Sequence, residues 1–576
     1  MRQIFIFLIF GVPIFVYSQN KLLIPDTLSG TNFNLNLQYG SFEFYPGVQT
    51  STMGTNGNIL GPTLILDTGD FVDIKVKNEL NDTTTIHWHG MHVSAENDGG
   101  PHTTIAPSAT WNPSFTVMDK AATYWYHPHL HEKTNLHVSK GIAGFIIVRD
   151  KEEAAFELPR KYGIDDFPLV IQTKTFNANK EIVVPSNADS VVMVNATRNA
   201  ELEVPSQVVR LRLLNGSSQR VFNLGLNNNK TFYQIASDGG LVSKPIQLAR
   251  LQLAPGERAE ILVDFSSQLG ETIYLISYAS EFSNGIYGAT NPGMGMMQNL
   301  NNYNPNPING TNFNLMQFKV AGETSNPIKT IPANLVTVTP LLESNSDITR
   351  NVTLNPVSMG PNVLNGEFLI NNVSFDMNVI NYTIPLNNTE IWSITNQTPI
   401  AHPFHIHDVQ FYVLDRNGVV VEPSEQGRKD VVLINAMETV RFITKFEDFA
   451  NDPVPYMYHC HMLTHEDGGM MGQFSVVSTT NVNYNLNAPE IFELRQNYPN
   501  PFNPSTIINY QLPNSGYVSL KVYDLLGRQM AVLVDQQQST GSYNVTLDGS
   551  NLASGIYFYE LKSSGFFQIR KMMLLK

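Results

Sequence analysis

A single cysteine stands among 576 residues, and it lies between two histidines, in the stretch Tyr456-Met457-Tyr458-His459-Cys460-His461-Met462-Leu463-Thr464-His465-Glu466-Asp467-Gly468-Gly469-Met470. Thiol, imidazole and thioether so close together are the soft and borderline donors that copper favours. With no second cysteine, an internal disulfide is impossible. A lone cysteine is most often an inert buried thiol; its histidine neighbours argue for a functional one.

Further His-x-His units occur at His87-Trp88-His89, His127-Pro128-His129 (extended at the same spacing by His131) and His405-Ile406-His407. On a strand, residues i and i+2 share a face and the residue between them points the other way. Each unit therefore presents two imidazoles side by side. The four units offer eight nitrogens, enough for three copper ions with room for oxygen. Cys460, facing away from His459 and His461, can serve a separate ion. His402, three residues before His405, and His465 complete a His₂Cys set, and Met470 is a weak axial donor, which together make a blue-copper arrangement. The remaining four of the 14 histidines, His92, His102, His131 and His137, are expected to be polar or exposed side chains, with His131 a candidate support for the unit before it.

The elements that must hold these residues are short strands. Phe71–Asn78 alternates apolar with polar residues, as a half-buried strand does, and His87 follows nine residues after Asn78. Thr389–Asn396 repeats the pattern, with His405 nine residues after Asn396. Tyr124-Trp125-Tyr126-His127 and Tyr456-Met457-Tyr458-His459 are a second matching pair. A third copy lies between them: Arg210-Leu211-Arg212-Leu213-Leu214 ends at Asn215, and Leu224 and Leu226 stand where the others carry His-x-His. Such internal repetition predicts a repeated architecture, the middle copy being a metal-free spacer. In the first copy, Pro128 replaces Cys460 and Thr84 replaces His402, so only the last copy can hold the blue site.

Gly 39, Pro 33 and only 15% charged residues fit a turn-rich all-β chain, and the length calls for several domains. A formal charge of −14 argues against a nucleic-acid backbone as partner. Residues 1–18, with one positive charge, an apolar run and a small residue before Gln19, read as a secretory leader. An exported protein with no spanning segment is expected.

The units His87-Trp88-His89-Gly90, His127-Pro128-His129, His402-Pro403-Phe404-His405-Ile406-His407 and His459-Cys460-His461 with His465 and Met470 resemble those of three-domain multicopper oxidases, over residues 55 to 480. Within that family, His465-Glu466-Asp467 and Met471 after Met470 look like the bacterial laccase, bilirubin oxidase and cuprous oxidase branch. The resemblance implies three consecutive cupredoxin-like Greek-key β-sandwiches. It implies four copper ions: a type 1 ion on His402, Cys460, His465 and Met470; a type 2 ion on His87 and His405; and a type 3 pair on His89, His127, His129, His407, His459 and His461. Electrons would pass from a reducing substrate through Cys460 to a cluster that reduces O2 to water, with Asp98 and Glu466 as proton-relay acids. Cuprous oxidases of this branch carry an acid and a methionine where Thr398 and Ile400 stand, and a Met-rich insertion absent here. An organic reductant, phenolic or aromatic amine, is therefore expected. A Cu(I), Fe(II) or Mn(II) oxidase is the alternative, and a non-catalytic copper-binding scaffold the lesser one. The Gly293-Met294-Gly295-Met296-Met297 loop is expected to pack rather than bind metal.

The tail has its own resemblance. Asn497-Tyr498-Pro499-Asn500-Pro501-Phe502-Asn503-Pro504, Val522-Tyr523-Asp524-Leu525-Leu526-Gly527 and the final Lys571-Met572-Met573-Leu574-Leu575-Lys576 look like the type A C-terminal sorting domain of the type IX secretion system. That implies passage through the periplasm to the cell surface or medium, with the secretion machinery as partner. The expected organisation is a leader (1–18), cupredoxin domains at 19–155, 156–325 and 326–478, a linker (479–493) and a small Ig-like β-sandwich sorting domain (494–576).

Overall fold

A computed structural model describes residues 19–295, 298–304, 306–478, 492–514, 516–538, 541–563 and 566–576. The expected leader, most of the linker, and Met296 and Met297 lie outside the described residues. Strands make up 48% of the molecule and helices 6%, so sheets carry the fold.

The alternation in Phe71–Asn78 is realised residue by residue, with Val72, Ile74 and Val76 buried and their neighbours exposed. This strand lies in a sheet with Val48–Thr55, Asn32–Tyr45 and Thr110–Trp111. A second sheet, ordered Thr27–Ser29, Thr63–Asp67, Gly144–Arg149, Ala122–His127 and His87–His89, packs against it around Leu35, Leu64, Ile74, Trp88 and Ile146. In the third unit, the sheet Tyr382–Pro385, Met471–Val477, Tyr456–Cys460, His402–Ile406 and Val431–Ile434 plays the same part. The two registers correspond: His87 pairs with His127 in the first unit, and His405 with His459 in the third. In the middle unit, Phe222–Leu226 takes the equivalent place, and Leu224 and Leu226 are fully buried in an apolar core.

The asparagine that marks each repeat has a structural reason. The Oδ1 of Asn78, Asn215 and Asn396 accepts the backbone N–H two residues on, from Leu80, Ser217 and Thr398. Each Nδ2 donates to a carbonyl four or five residues on, at Asp82, Arg220 and Ile400. This local side-chain turn ends the strand and aims the chain back across the sandwich. The same nine-residue excursion then delivers His87, Leu224 or His405.

Three boundaries differ from the compositional expectation. Asn20–Lys21 pairs with Ala200–Glu201, and Leu22 fills the middle core, so the first described residues belong to the middle unit and not to the first. Residues 328–336 pack Ile328, Ile331 and Leu335 on the outside of the middle unit before the third begins. Phe492, placed in the linker by composition, already belongs to the last core. That last unit is a sandwich of a three-stranded and a four-stranded sheet closed over Ile508, Leu520, Tyr559 and Leu574. No helix among the described residues is long and apolar enough to cross a membrane.

Candidate metal centre

The histidine units meet at the junction of the first and third sandwiches. The second member of three units lies just past a strand end, where the backbone is free to turn: His129 after His127, His407 after Ile406 and His461 after Cys460. The two rings of a unit therefore serve different sites. His87 stacks on His407 and His89 on His405, each at 3.9 Å between ring centres.

Hydrogen bonds to main-chain carbonyls decide which ring nitrogen is offered. Nδ1 of His87 donates to Asp98 O (3.0 Å), that of His405 to Asp430 O (2.8 Å), that of His127 to Pro128 O (2.8 Å) and that of His459 to Cys460 O (3.1 Å). A proton fixed on Nδ1 leaves Nε2 as a bare donor to metal. The Nε2 atoms of His129, His407 and His459 lie 3.0–3.3 Å from one another. His89 presents Nδ1 instead, 3.4 Å from His127 Nε2 and 3.3 Å from His461 Nε2. Nε2 of His87 and of His405 is buried without a protein partner.

These arrangements fit metal ions. Ligands about 2.0–2.1 Å from one ion stand about 3.3–3.6 Å apart, close to the spacing in both triads. Burial, followed by neighbouring imidazoles, drives the basicity of His89, His405 and His407 well below the ordinary value. Burial does the same to His459, pulled down to about 3. The rings are thus neutral, as metal ligation requires.

Cys460 faces the other way. Its Sγ is 3.4 Å from His402 Nδ1 and 3.6 Å from His465 Nδ1. Met470 is fully buried in the same core, and its carbonyl accepts the Cys460 N–H at 3.0 Å. Burial pushes the thiol's pKa far up, so a thiolate here needs a cation to hold it. Thr398 accepts His402 Nε2–H at 2.7 Å and donates its own O–H to Ile400 O, leaving Nδ1 towards the sulfur. The Phe368 ring lies against both His402 (4.9 Å) and His465 (4.7 Å), and His465 is the half-buried member of the set.

Both sequence-predicted acids sit behind the triad His129, His407 and His459. Asp98 closes a short helical turn, and Gly99, at φ +83°, lets the chain pass within contact of Ile86 and His87. Its Oδ2 accepts His407 Nδ1–H at 2.7 Å. Glu466 is fully buried, with its oxygens 3.5 Å from His129 Nδ1 and 3.4 Å from His459 Nδ1. Burial, then Asp467, raises its pKa far above the carboxylate range.

Sequence reasoning missed Asp430. Its carboxylate, fully buried, takes His89 Nε2 at 3.1 Å while its carbonyl holds His405. Its place, one residue before an apolar strand, gave no signal without the fold. Two of the remaining histidines are also not simple surface groups. His137 is fully buried against Thr84, and His92 bridges Asp408 and Asp448 across the first and third units. His102 reaches Gln473 (2.8 Å), and His131 packs on Phe375.

Comparison with known proteins agrees with this geometry. Models described as multicopper oxidase match residues 36–153, 125–299 and 338–480, and one described as a secretion system C-terminal sorting domain matches 496–575. A multicopper oxidase, mco, of Staphylococcus haemolyticus is 34% identical over 80% of this chain and 93% of its own length. The cell division protein FtsP of Proteus mirabilis is 30% identical over the same shares. The solved laccase-like multicopper oxidase CueO of Ochrobactrum sp. superposes with a TM-score of 0.69 at 31% identity, covering 79% of this chain and all of that one. With donor set, fold and relatives in agreement, the chain belongs to the multicopper oxidase family and carries a C-terminal sorting domain for secretion or display at the cell surface.

Proposed function

We propose that this is an exported, laccase-like oxidase with four copper ions per chain. His402, Cys460, His465 and Met470 would hold a type 1 ion, His87 and His405 a type 2 ion, and the triads His89/His127/His461 and His129/His407/His459 a type 3 pair. Copper at these positions supplies one-electron oxidation of a substrate at Cys460 and four-electron reduction of O2 to two waters at the histidine cluster. The observation that carries the reading is the position of Cys460. It is bonded through the main chain to one histidine of each triad, while its side chain lies between His402 and His465.

The chain's own groups divide the remaining work. His465 offers the accessible edge of the site, and the buried Phe368 ring packs against it and fixes its orientation. Four protons must accompany the four electrons. Glu466, buried beside His129 Nδ1 and His459 Nδ1 with its pKa pushed up by burial, is placed to hold one beside the cluster, and Asp98 takes the His407 side. The sorting domain implies export by the type IX machinery, with the periplasm as the route.

A metal-ion reductant is the second reading, favoured by two exposed thioethers. Met294 and Met359 are 53% and 77% exposed, on loops joined by Asn299 N–H to Pro361 O and Asn365 Nδ2–H to Asn299 O. The Met294 N–H donates to Pro399 O, three residues before His402. Oxygen uptake by the copper-loaded protein, with a phenol against a cuprous salt and Cys460→Ser as blank, separates the two. Faster uptake with the phenol is expected; a strong preference for the cuprous salt overturns the choice of reductant. Absence of both oxygen uptake and blue absorption after copper loading would instead indicate a scaffold.

A further inference from the structure

The middle sandwich carries no metal-ligating histidine, yet one of its turns reaches the cluster. Ala254–Arg258 enters the strand Arg258–Asp264 from the junction of the three units. Gly256 has φ +85°, and a Cβ there would lie 3.0 Å from the His461 ring. The turn therefore packs backbone directly on that imidazole, which only glycine permits.

Arg258, two residues on, is fully buried, and all five of its N–H donors are used. Nη1 and Nη2 grip the two oxygens of Asp430 at 2.6 and 2.5 Å. The others reach Thr123 O of the first unit, and Gly256 O and Asp238 O of its own, each at 3.1 Å. Asp430 in turn takes His89 Nε2 with its carboxylate and His405 Nδ1–H with its carbonyl. A fork of two parallel charge-assisted bonds fixes the carboxylate's plane as well as its position. Held so, Asp430 occupies His89 Nε2 and leaves Nδ1, the atom facing His127 and His461. A lysine could balance the charge but not hold the plane.

We propose that the Gly256–Arg258 turn is a positioning element for the histidine cluster. Gly256 sets the His461 ring, and Arg258 acts through Asp430 on the nitrogen that His89 presents and on the placement of His405. The middle unit is then part of the oxygen-reducing site as well as a spacer. This rests on the copper reading above.

The test uses the full chain, loaded with copper, as wild type, Arg258→Lys, Gly256→Ala and, as a control for general loosening, Leu224→Ala in the core of the same unit. Copper per chain, blue absorption, the type 2 paramagnetic signal and thermal midpoint are measured together with oxygen uptake. The two turn variants are expected to keep the blue absorption and its anaerobic bleaching by reductant. They should lose copper or the wild-type signal from the cluster, and about tenfold or more of the oxygen uptake. Leu224→Ala should lower the midpoint with copper content and signal unchanged. Wild-type copper content, signal and uptake in both turn variants would overturn the proposal, as would equal copper loss in Leu224→Ala. Should Arg258→Lys fail to fold, Gly256→Ala, which leaves the Arg258–Asp430 side chains unchanged, decides alone. A wild type that takes up no copper and shows no blue absorption would defeat the copper reading itself.

Discussion

The first and third sandwiches share a frame but differ in what faces away from the cluster. In the third, the residue between His459 and His461 is Cys460, flanked by His402 and His465, whose rings are 5.0 Å apart. In the first, the corresponding residue is Pro128, and the place of His402 is taken by Thr84. The helix after the strand carries a histidine in both: the half-buried His465 in Leu463–Asp467 and the buried His137 in Thr134–Lys140. His137, however, has Thr84 Oγ1 at 3.0 Å as its only side-chain hydrogen-bond partner, and its Nε2 lies 3.9 Å from the Asp82 carboxylate without a hydrogen bond. One imidazole and one hydroxyl make a packed polar pair; two imidazoles and a thiol are a donor set that could hold a metal ion. The comparison teaches that the frame sets where a site can be, and two side chains decide whether there is one.

The largest effect that sharpens this contrast is Cys460→Ser. Blue absorption and oxygen uptake should vanish while about one copper per chain is lost, the cluster retaining the rest. Complete loss of copper would instead mean that the two sites do not form separately.

Glu466→Gln should follow. It keeps the shape between His129 and His459 but can neither give nor take a proton, so oxygen uptake should fall by roughly 10²-fold or more. Blue absorption should persist and bleach normally under anaerobic reductant. An unchanged rate would remove Glu466 from proton delivery.

The paired hydroxyls give a direct test. Thr398→Val frees His402 Nε2, so the affinity of the blue site for copper should drop by about 10–100-fold, read by titration with a chelator. Thr84→Val should leave copper binding alone and cost about 1–3 kcal/mol of stability, because His137 loses its only side-chain hydrogen bond. Copper loss from Thr84→Val would break the contrast.

His137 also predicts a pH dependence. Burial holds its pKa down to about 4 from an ordinary 6.5. The folded state therefore refuses a proton that the unfolded chain accepts. Stability should fall as pH drops from about 6.5 to 4, by up to about 3 kcal/mol from this group alone. His137→Leu should make that limb shallower in chemical denaturation of the copper-free protein, the buried ring histidines supplying the rest; an unaltered slope would refute it. The smallest effect is expected for Pro128→Cys, a thiol with no imidazole at position 84, which should add no blue absorption and no further copper.

Much of this molecule was legible before folding because its chemistry is local in sequence. Paired histidines, a cysteine between two of them and an asparagine nine residues upstream are short-range patterns, and each works through a strand's two-residue period or a four-residue turn. The middle copy was recognisable for the same reason, since Leu224 and Leu226 occupy the same step. What was hidden depends on contacts distant along the chain. Asn20–Lys21 belongs to the middle sheet only because Leu22 has a core to fill there. The burial of His137 and the bridging by His92 required the packed units.

The sequence by itself determined the donor types, their spacing and the single position able to hold a thiolate. Tertiary structure decided which nitrogen each imidazole offers. That choice is made by carbonyls and carboxylates from elsewhere in the chain: Asp430 for His89, Asp98 for His407, Thr398 for His402. A ring proton goes to whichever side finds an acceptor, and only the assembled junction of sandwiches determines where that acceptor stands.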